Sequence, residues 1–390
     1  MAIKRHSKLQ RILIPGFVFQ SMVIGGGYGT GAEIREYFLS KGLAGGLLGM
    51  AVTLGIWSVL CAVTFAFSCT FRTYDYMSMM TKLLGKASFL YEICYIVMLL
   101  IVLGVVTATA GSMVTSLTGG SKWIGVAILS FGIILLVIKG TAAIENVLAF
   151  WSYVLYAVYI LFMIIVFTKF GGNLPKVFAA RSAAGSGWLM GGAKYAFYNL
   201  GIVPILLYTV RACHNRREAV LSGLLAGVIG IIPACMLLMT MGTMMGACMR
   251  AEVPITAVFQ ALDMNWLFWL FEIVLFGTLI ETGTGFIKAM DDRIENAISA
   301  SGKPVSVWVR PAVVIGCVVL GIFFSTFGLV DLIARGYGTI TWGFLFFFAV
   351  PMLTIGVYKM LRHGRRSRFP KAFSGRSPAY SHNASKRPGL

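Results

Sequence analysis

Long apolar runs separated by short polar clusters set the pattern of this chain from residue 12 to residue 360. A helix that crosses a bilayer needs about 20 predominantly apolar residues. Ten stretches reach or approach that length: 12–38, 43–70, 88–117, 122–139, 143–168, 186–210, 218–246, 265–288, 308–325 and 338–359. Runs this long fit helices and exceed what a barrel strand needs. The pattern therefore predicts an all-α polytopic membrane protein with ten transmembrane helices. Residues 72–86 predict a short interfacial helix, and 247–264 a loop helix lying over the mouth of any central pocket.

Two of the ten stretches carry interruptions. Within the first, five glycines fall in seven residues, Gly25-Gly26-Gly27-Tyr28-Gly29-Thr30-Gly31, followed at once by Glu33, Arg35 and Glu36. Glycine disfavours helix by about 1 kcal/mol per residue relative to Ala. Non-helical backbone at membrane depth persists only where it is buried in protein or lines a wet cavity. The sixth stretch contains Asn199-Leu200-Gly201-Ile202-Val203-Pro204. Pro204 has no N–H, so the carbonyl of Leu200 loses its helical donor. If residues 12–168 and 186–360 form two five-helix repeats joined by a linker at 169–185, the breaks occupy corresponding positions. An odd number of helices per repeat inverts one repeat relative to the other. Paired interruptions in inverted repeats point to a transporter binding site near the midplane. Close packing of helices through small residues is the competing explanation for the glycines.

Charge fixes the expected orientation. The chain has 390 residues, is 58% hydrophobic and 12% charged, and carries a net charge of +19. Soluble domains carry about 25% charged residues. The basic segment 1–11 leads straight into the first apolar run without a signal-peptide cleavage pattern. With ten spans, the positive-inside rule places both termini in the cytoplasm of a cell-membrane protein, together with Arg72, Arg211, Arg216, Arg217, Lys288 and Arg293. The basic tail, 361–390, has no apolar period and predicts disorder. The seven cysteines are scattered, with no paired spacing. They read as packing residues, with no disulfide framework.

The segment Gly27-Tyr28-Gly29-Thr30-Gly31 resembles the unwound Gly-Ser/Thr-Gly element in the first helix of the amino acid–polyamine–organocation superfamily. Asn199-Leu200-Gly201 is similar to the matching element of its sixth helix. The ten-helix count and the long eighth helix agree, so the resemblance spans residues 12 to 360. Within the superfamily the chain is similar to bacterial YkvI-type membrane proteins. The resemblance implies the inverted-repeat fold of the bacterial leucine transporter, with helices one and six broken. It also implies alternating access and a small amino-acid-like or amine solute driven by Na⁺ or H⁺.

By the same resemblance, the backbone of Gly29, Thr30 and Gly31 would hold a solute carboxylate, as helix N-termini do. Exposed carbonyls of Asn199, Leu200 and Gly201 would receive an ammonium. Tyr28, Phe197 and Tyr198 could wall the pocket or simply pack, and Glu33 is near enough to meet an amine or cation. For the coupling ion, the first-helix glycines Gly25 and Gly26 would face Thr278, Glu281, Thr282 and Thr284 of the eighth helix. The family places oxygen ligands for sodium there. Glu281 stands where small or hydroxyl residues are usual, which raises proton coupling. An ion pair with Lys288 or Arg35 is the alternative role for Glu281. Glu272 lies on the opposite side of the same helix and reads as structural.

Other classes fit less well. All four histidines lie outside the spans, and no span contains Asp. That removes intramembrane bis-His haem ligation and H-E-x-x-H zinc chemistry. No catalytic residue, metal site or organic cofactor is expected, and no nucleic-acid partner. A transporter-fold sensor that binds its ligand without moving it remains open, as does the oligomeric state. The sequence holds a second Gly-Tyr-Gly-Thr run, Gly336 to Thr339, for which the pattern offers no account.

Overall fold

The computed structural model describes residues 7–139, 141–179, 185–251, 253–302 and 304–368. Among these residues every regular element is helical. The first apolar stretch holds α1, Lys8–Val23, and α2, Ala32–Tyr37, with a single helical turn, Gly26–Gly29, between them. Then come α3, Leu43–Phe71; α4, Tyr76–Leu84; α5, Ser88–Thr118; α6, Lys122–Lys139; and α7, Thr141–Phe170. The second part runs α8, Trp188–Leu200; α9, Arg216–Gly242; α10, Pro254–Leu262; α11, Asn265–Ala300; and α12, Val309–Ser325. A last apolar segment, Leu329–His363, completes the bundle.

Among the described residues six helical segments are long and apolar enough to cross a membrane. The helices over 122–138 and 309–325 are shorter apolar helices. The remaining two of the ten expected stretches are the interrupted ones. Helix starts follow local chemistry. Ser7 and Gln10 cap α1 reciprocally, with Gln10 N donating to Ser7 Oγ at 3.2 Å and Ser7 N donating to Gln10 Oε1 at 2.9 Å. Asp75 and Asn215 accept from the first turns of α4 and α9.

The last segment departs from expectation. It begins at Leu329, not near 338, and it holds wide π-helical turns at Leu332–Tyr337, Leu345–Ala349 and Met352–Gly356. Gly336 and Gly338 suggest a loop by composition. The chain instead absorbs Gly336 into a widened turn, a form that recurs at functional sites, and Gly338 opens the α-helical stretch that follows. At its far end the helix Val357–Arg368 runs into the segment expected to be without structure; residues 369–390 lie outside the described part, as do residues 180–184 of the expected linker. Similarly, α11 continues past residue 288 to Ala300. Its charged end is anchored by Arg310 to Asp291 at 2.8 Å and to Glu295 at 3.0 Å, and by Arg293 to Glu92 at 2.6 Å.

The helices that carry the breaks are held at backbone contact by small residues. A Cβ on Gly192 of α8 would strike the carbonyl of Gly49 in α3, and one on Gly223 of α9 would strike Cys61 and Ala62. Such approaches let α3 bond directly to its neighbours. Thr53 Oγ1 donates to Gly192 O at 2.9 Å, Trp57 Nε1 to Ala196 O at 3.1 Å, and Ser58 Oγ to Leu224 O at 3.0 Å. Small interfacial residues with side-chain-to-backbone bonds are the usual cement of helices in lipid.

Candidate functional site

The first break has two corners and a helical turn between them. The chain leaves α1 at Ile24 and Gly25, makes the Gly26–Gly29 turn, and bends again at Gly31 before α2. Gly31 sits at φ +78°, a conformation that L side chains disfavour. The second break follows Leu200. Residues 201–204 make turns, and a 3-10 helix runs over Ile205–Ala212. Both interruptions thus fall where glycine and proline density places them.

The two breaks meet at a small cavity of about 20 Å³. Gly25, Gly26 and Glu33 line it from the first break, Tyr198, Asn199 and Ile202 from the second, and Thr282 and Phe286 from α11. This is room for about one water-sized group. Glu33 is buried; its Oε2 accepts from the hydroxyl of Tyr198, and the backbone N–H of Tyr28 faces its carboxylate. Tyr337 stacks on Tyr198, with ring centroids 4.5 Å apart and planes 12° apart. It too lines the cavity.

A second, much larger cavity of about 1390 Å³ opens at the end of the bundle where α1 begins and α11 finishes. Ile14, Ser21, residues 73–78 leading into α4, and the charged end of α11 line this vestibule. Met22, Thr282 and Phe286 line both cavities, so the two adjoin at these three side chains. At the vestibule's inner end Ser21 Oγ donates to Glu281 Oε1 at 2.5 Å. Beside it Thr282 Oγ1 lies 3.2 Å from Ile24 O and 3.0 Å from Thr278 O.

The opposite end is shut. The backbone N–H of Ile255, in α10, donates to Thr30 O at 3.1 Å. Arg35 donates to Ala251 O just before α10, and Tyr37 Oη donates to Ile333 O at 3.1 Å. These bonds tie the second half of the first interrupted segment to α10 and to the widened turn that ends at Tyr337.

Several expected site residues take other roles. The N–H groups of Gly29, Thr30 and Gly31 are already paired, to Gly25 O at 2.9 Å, Gly26 O at 3.2 Å and Tyr28 O at 2.9 Å. Thr30 Oγ1 also turns back to Gly26 O. A helical turn forms inside the glycine run and satisfies the donors that an unwound strand would leave free. The carbonyls of Asn199 and Leu200 accept from Ile202 N and Val203 N at 3.1 Å each, and Gly201 O accepts from Tyr91 Oη at 2.8 Å. Tyr28, Phe197, Leu200 and Gly201 do not line the central cavity. Tyr28 is fully buried, Phe197 packs at the edge of the core, and Gly201 lies against the Phe344 ring.

Of the expected ion-coupling residues, Gly25, Gly26 and Thr282 line the central cavity, and Glu281 with Thr282 lines the vestibule. Thr278 bonds back to Val274 O at 2.9 Å, and Thr284 is buried; neither reaches a cavity. Among the described residues Glu281 makes no ion pair. Lys288 pairs with Asp292 at 2.7 Å, and Arg35 is engaged at Ala251. Glu272, expected to be structural, is buried with its Oε2 unpartnered among the described residues.

Tyr337, Ser21, Met22 and Phe286 complete the site and were not singled out by the sequence. The second Gly-Tyr-Gly-Thr run supplied the one available signal for Tyr337.

No protein-family model matches the chain. Its sequence is 22% identical over 298 residues to the uncharacterized membrane protein YkvI of Bacillus subtilis (strain 168), covering 74% of this chain and 82% of that one. Its fold is similar to that of a Na⁺-coupled sialic acid symporter in a substrate-bound outward-open state. The TM-score is 0.62 at 11% identity, over 90% of this chain and 89% of that one. A variant of the Eremococcus coleocola manganese transporter gives a TM-score of 0.54 at 14% identity, over 96% and 91% of the two chains. The architecture is therefore the leucine-transporter-like membrane fold. At these identities the likeness is one of fold.

Proposed function

We propose that the protein is an ion-coupled secondary transporter that moves a small amino-acid-like or amine solute by alternating access. The observation that carries this reading is the pair of cavities adjoining at Met22, Thr282 and Phe286 at the meeting point of two helix breaks. The small cavity is lined by residues of both breaks and adjoins the large one, while bonds from the Thr30–Tyr37 stretch to Ala251, Ile255 and Ile333 tie up its other side. A niche at two interrupted helices, held more firmly on one side than on the other, is what a carrier needs to expose a site alternately. That the two solved structures of similar fold are described as transporters of a sialic acid and of manganese adds support. Residues 12–168 and 186–360 serve as the inverted five-helix repeats, and both termini face the cytoplasm of the cell membrane. The open vestibule then makes this an inward-facing form.

Glu281 supplies the coupling step in this reading. It reaches the vestibule, it bonds to Ser21 on the first interrupted segment, and it has no cationic partner among the described residues. An ionisable group at membrane depth is costly and marks ion or proton pathways. A carboxyl that can take a proton from the vestibule and hand its hydrogen bond to Ser21 couples protonation to the position of α1. The coupling ion is then H⁺, with Na⁺ at Thr282 and the Ile24 carbonyl as the rival.

Uptake into proteoliposomes tests the reading. Radiolabelled amino acids and amines are offered under an imposed pH gradient or an imposed Na⁺ gradient. Accumulation of one solute class driven by either gradient is the expected result. Saturable binding with no flux under any gradient would overturn transport and favour a receptor built on the same fold.

A further inference from the structure

We infer that the solute's recognised group is a primary ammonium, received by Glu33 inside the central cavity, and that no solute carboxylate is bound at the first break. This rests on the reading of that cavity as the solute site.

The first break already holds a carboxylate, and it is the protein's own. The N–H groups of Gly29, Thr30 and Gly31 are spent within the segment. The backbone N–H of Tyr28, inside the Gly26–Gly29 turn, donates to the Glu33 carboxyl group. The side chain lies so close over Gly27 that any Cβ there would collide with it. Gly27 thus admits the Glu33 carboxylate to the place that a solute carboxylate would take. A second carboxyl group would find that space and the Tyr28 N–H already taken.

The rest of the lining suits a cation. Glu33 is the one carboxylate among the described lining residues, and no Lys, Arg or His joins it. Its protein partner is a neutral donor, the Tyr198 hydroxyl. An ammonium can displace that hydroxyl and replace a neutral hydrogen bond by a charge-assisted one, roughly twice as strong. The Tyr198–Tyr337 stack presents aromatic surface, which attracts cations. Asn199 donates through Nδ2 to Tyr195 O at 3.0 Å, which leaves its Oδ1 as an acceptor.

Size narrows the class further. The cavity of about 20 Å³ admits a water-sized group. An –NH₃⁺ head has that size, and a trimethylammonium head does not. The solute's body would extend past Met22, Thr282 and Phe286, where the niche adjoins the vestibule. The expected ligand is therefore a primary amine whose head enters the niche and whose body lies toward the vestibule.

The test is equilibrium binding to the purified full-length protein, read by thermal shift and calorimetry. The probes are three matched sets, each an amino acid, the amine lacking its carboxylate, and the acid lacking its amine. Leucine, 3-methylbutylamine and 4-methylpentanoate make the first set; phenylalanine, phenethylamine and 3-phenylpropanoate the second; ornithine, putrescine and 5-aminopentanoate, an acid that retains one amine, the third. The N-trimethyl form of each amine is included. At least one primary amine is expected to bind and raise the melting temperature, with its N-trimethyl form and the acids of the first two sets inert. Glu33→Gln should weaken that amine by roughly tenfold or more, the loss of a charge-assisted bond. Glu33→Asp should retain part of the affinity, and Tyr198→Phe should keep or tighten it, because a competitor for Glu33 is removed.

Binding of amino acids or acids with every matched amine inert would overturn the inference, and so would undiminished amine binding in folded Glu33→Gln. No primary amine binding at millimolar concentration would overturn it as well. In each of those cases gradient-driven uptake of an amino acid would leave the transporter reading standing, so the two failures are separable. The comparison among wild-type ligands does not depend on any variant folding.

Discussion

Ser21 and Glu281 are joined by a 2.5 Å hydrogen bond that bridges α1 and α11 at the inner end of the vestibule. The bond links a group that can gain a proton to α1, the first half of the interrupted segment. Neutralising Glu281 permanently should therefore separate binding from coupling. Glu281→Gln is expected to reduce pH-driven accumulation to background while counterflow exchange and solute binding persist. Ser21→Ala should retain pH-driven uptake at a lowered rate, because the carboxyl remains. Initial-rate uptake at two external pH values checks both, and pH-driven accumulation unchanged in Glu281→Gln would falsify the proton role.

The meeting of the two cavities at Met22, Thr282 and Phe286 makes a prediction about access. Ser21 lines the vestibule, whereas Gly25 lines only the small central cavity behind these three side chains. The position at Gly25 has space for a side chain, its nearest neighbour being Thr282 Cγ2 at 3.5 Å. In a background with the native cysteines replaced, Ser21→Cys should react readily with a charged thiol reagent, and Gly25→Cys at least roughly tenfold more slowly, the equivalent of about 1.4 kcal/mol. Adding Phe286→Ala should widen access and raise labelling of Gly25→Cys. Equal labelling of the two cysteines in the parent background would mean that these side chains do not screen Gly25.

The positions of both breaks were legible because glycine and proline act on the local backbone. Five glycines in seven residues and one proline beside Asn199 and Gly201 suffice to interrupt two helices wherever the rest of the chain lies. What happens at the breaks depends on distant partners. Whether the N–H groups of Gly29 to Gly31 stay free is decided by an internal helical turn, and whether Gly201 offers its carbonyl is decided by Tyr91, which lies 110 residues away. Ser21 meets Glu281 across 260 residues, so no local pattern marks Ser21. Tyr337 was hidden for another reason. Its flanking glycines suggest a loop, and the chain instead makes a π-turn over Leu332–Tyr337 that aims the ring at Tyr198. Glu33 and Glu281 were legible as candidates simply because carboxyl groups at membrane depth are rare and expensive.

Two glycines of similar appearance in the sequence should respond in opposite ways to substitution. Gly192 faces α3, and a Cβ there would strike the carbonyl of Gly49. The clash is with backbone, which cannot swing aside, so α8 would have to move away from α3. That movement would strain the bonds from Thr53 to Gly192 O and from Trp57 to Ala196 O, which hold the helix leading into the second break. Overpacking of this kind costs about 1–3 kcal/mol, and the lost bonds add to it. Gly192→Val is accordingly expected to lower the melting temperature in detergent and to weaken solute binding through displacement of Tyr198 and Asn199. Gly55, in α3, has no atom within 4 Å of a built Cβ. There Ala removes the helix penalty of glycine, worth up to about 1 kcal/mol, with nothing to clash against. Gly55→Ala should keep the melting temperature or raise it, with binding intact. A Gly192→Val protein as stable as the parent would show that α8 and α3 are not in backbone contact, and the geometry of the second break would then need revision.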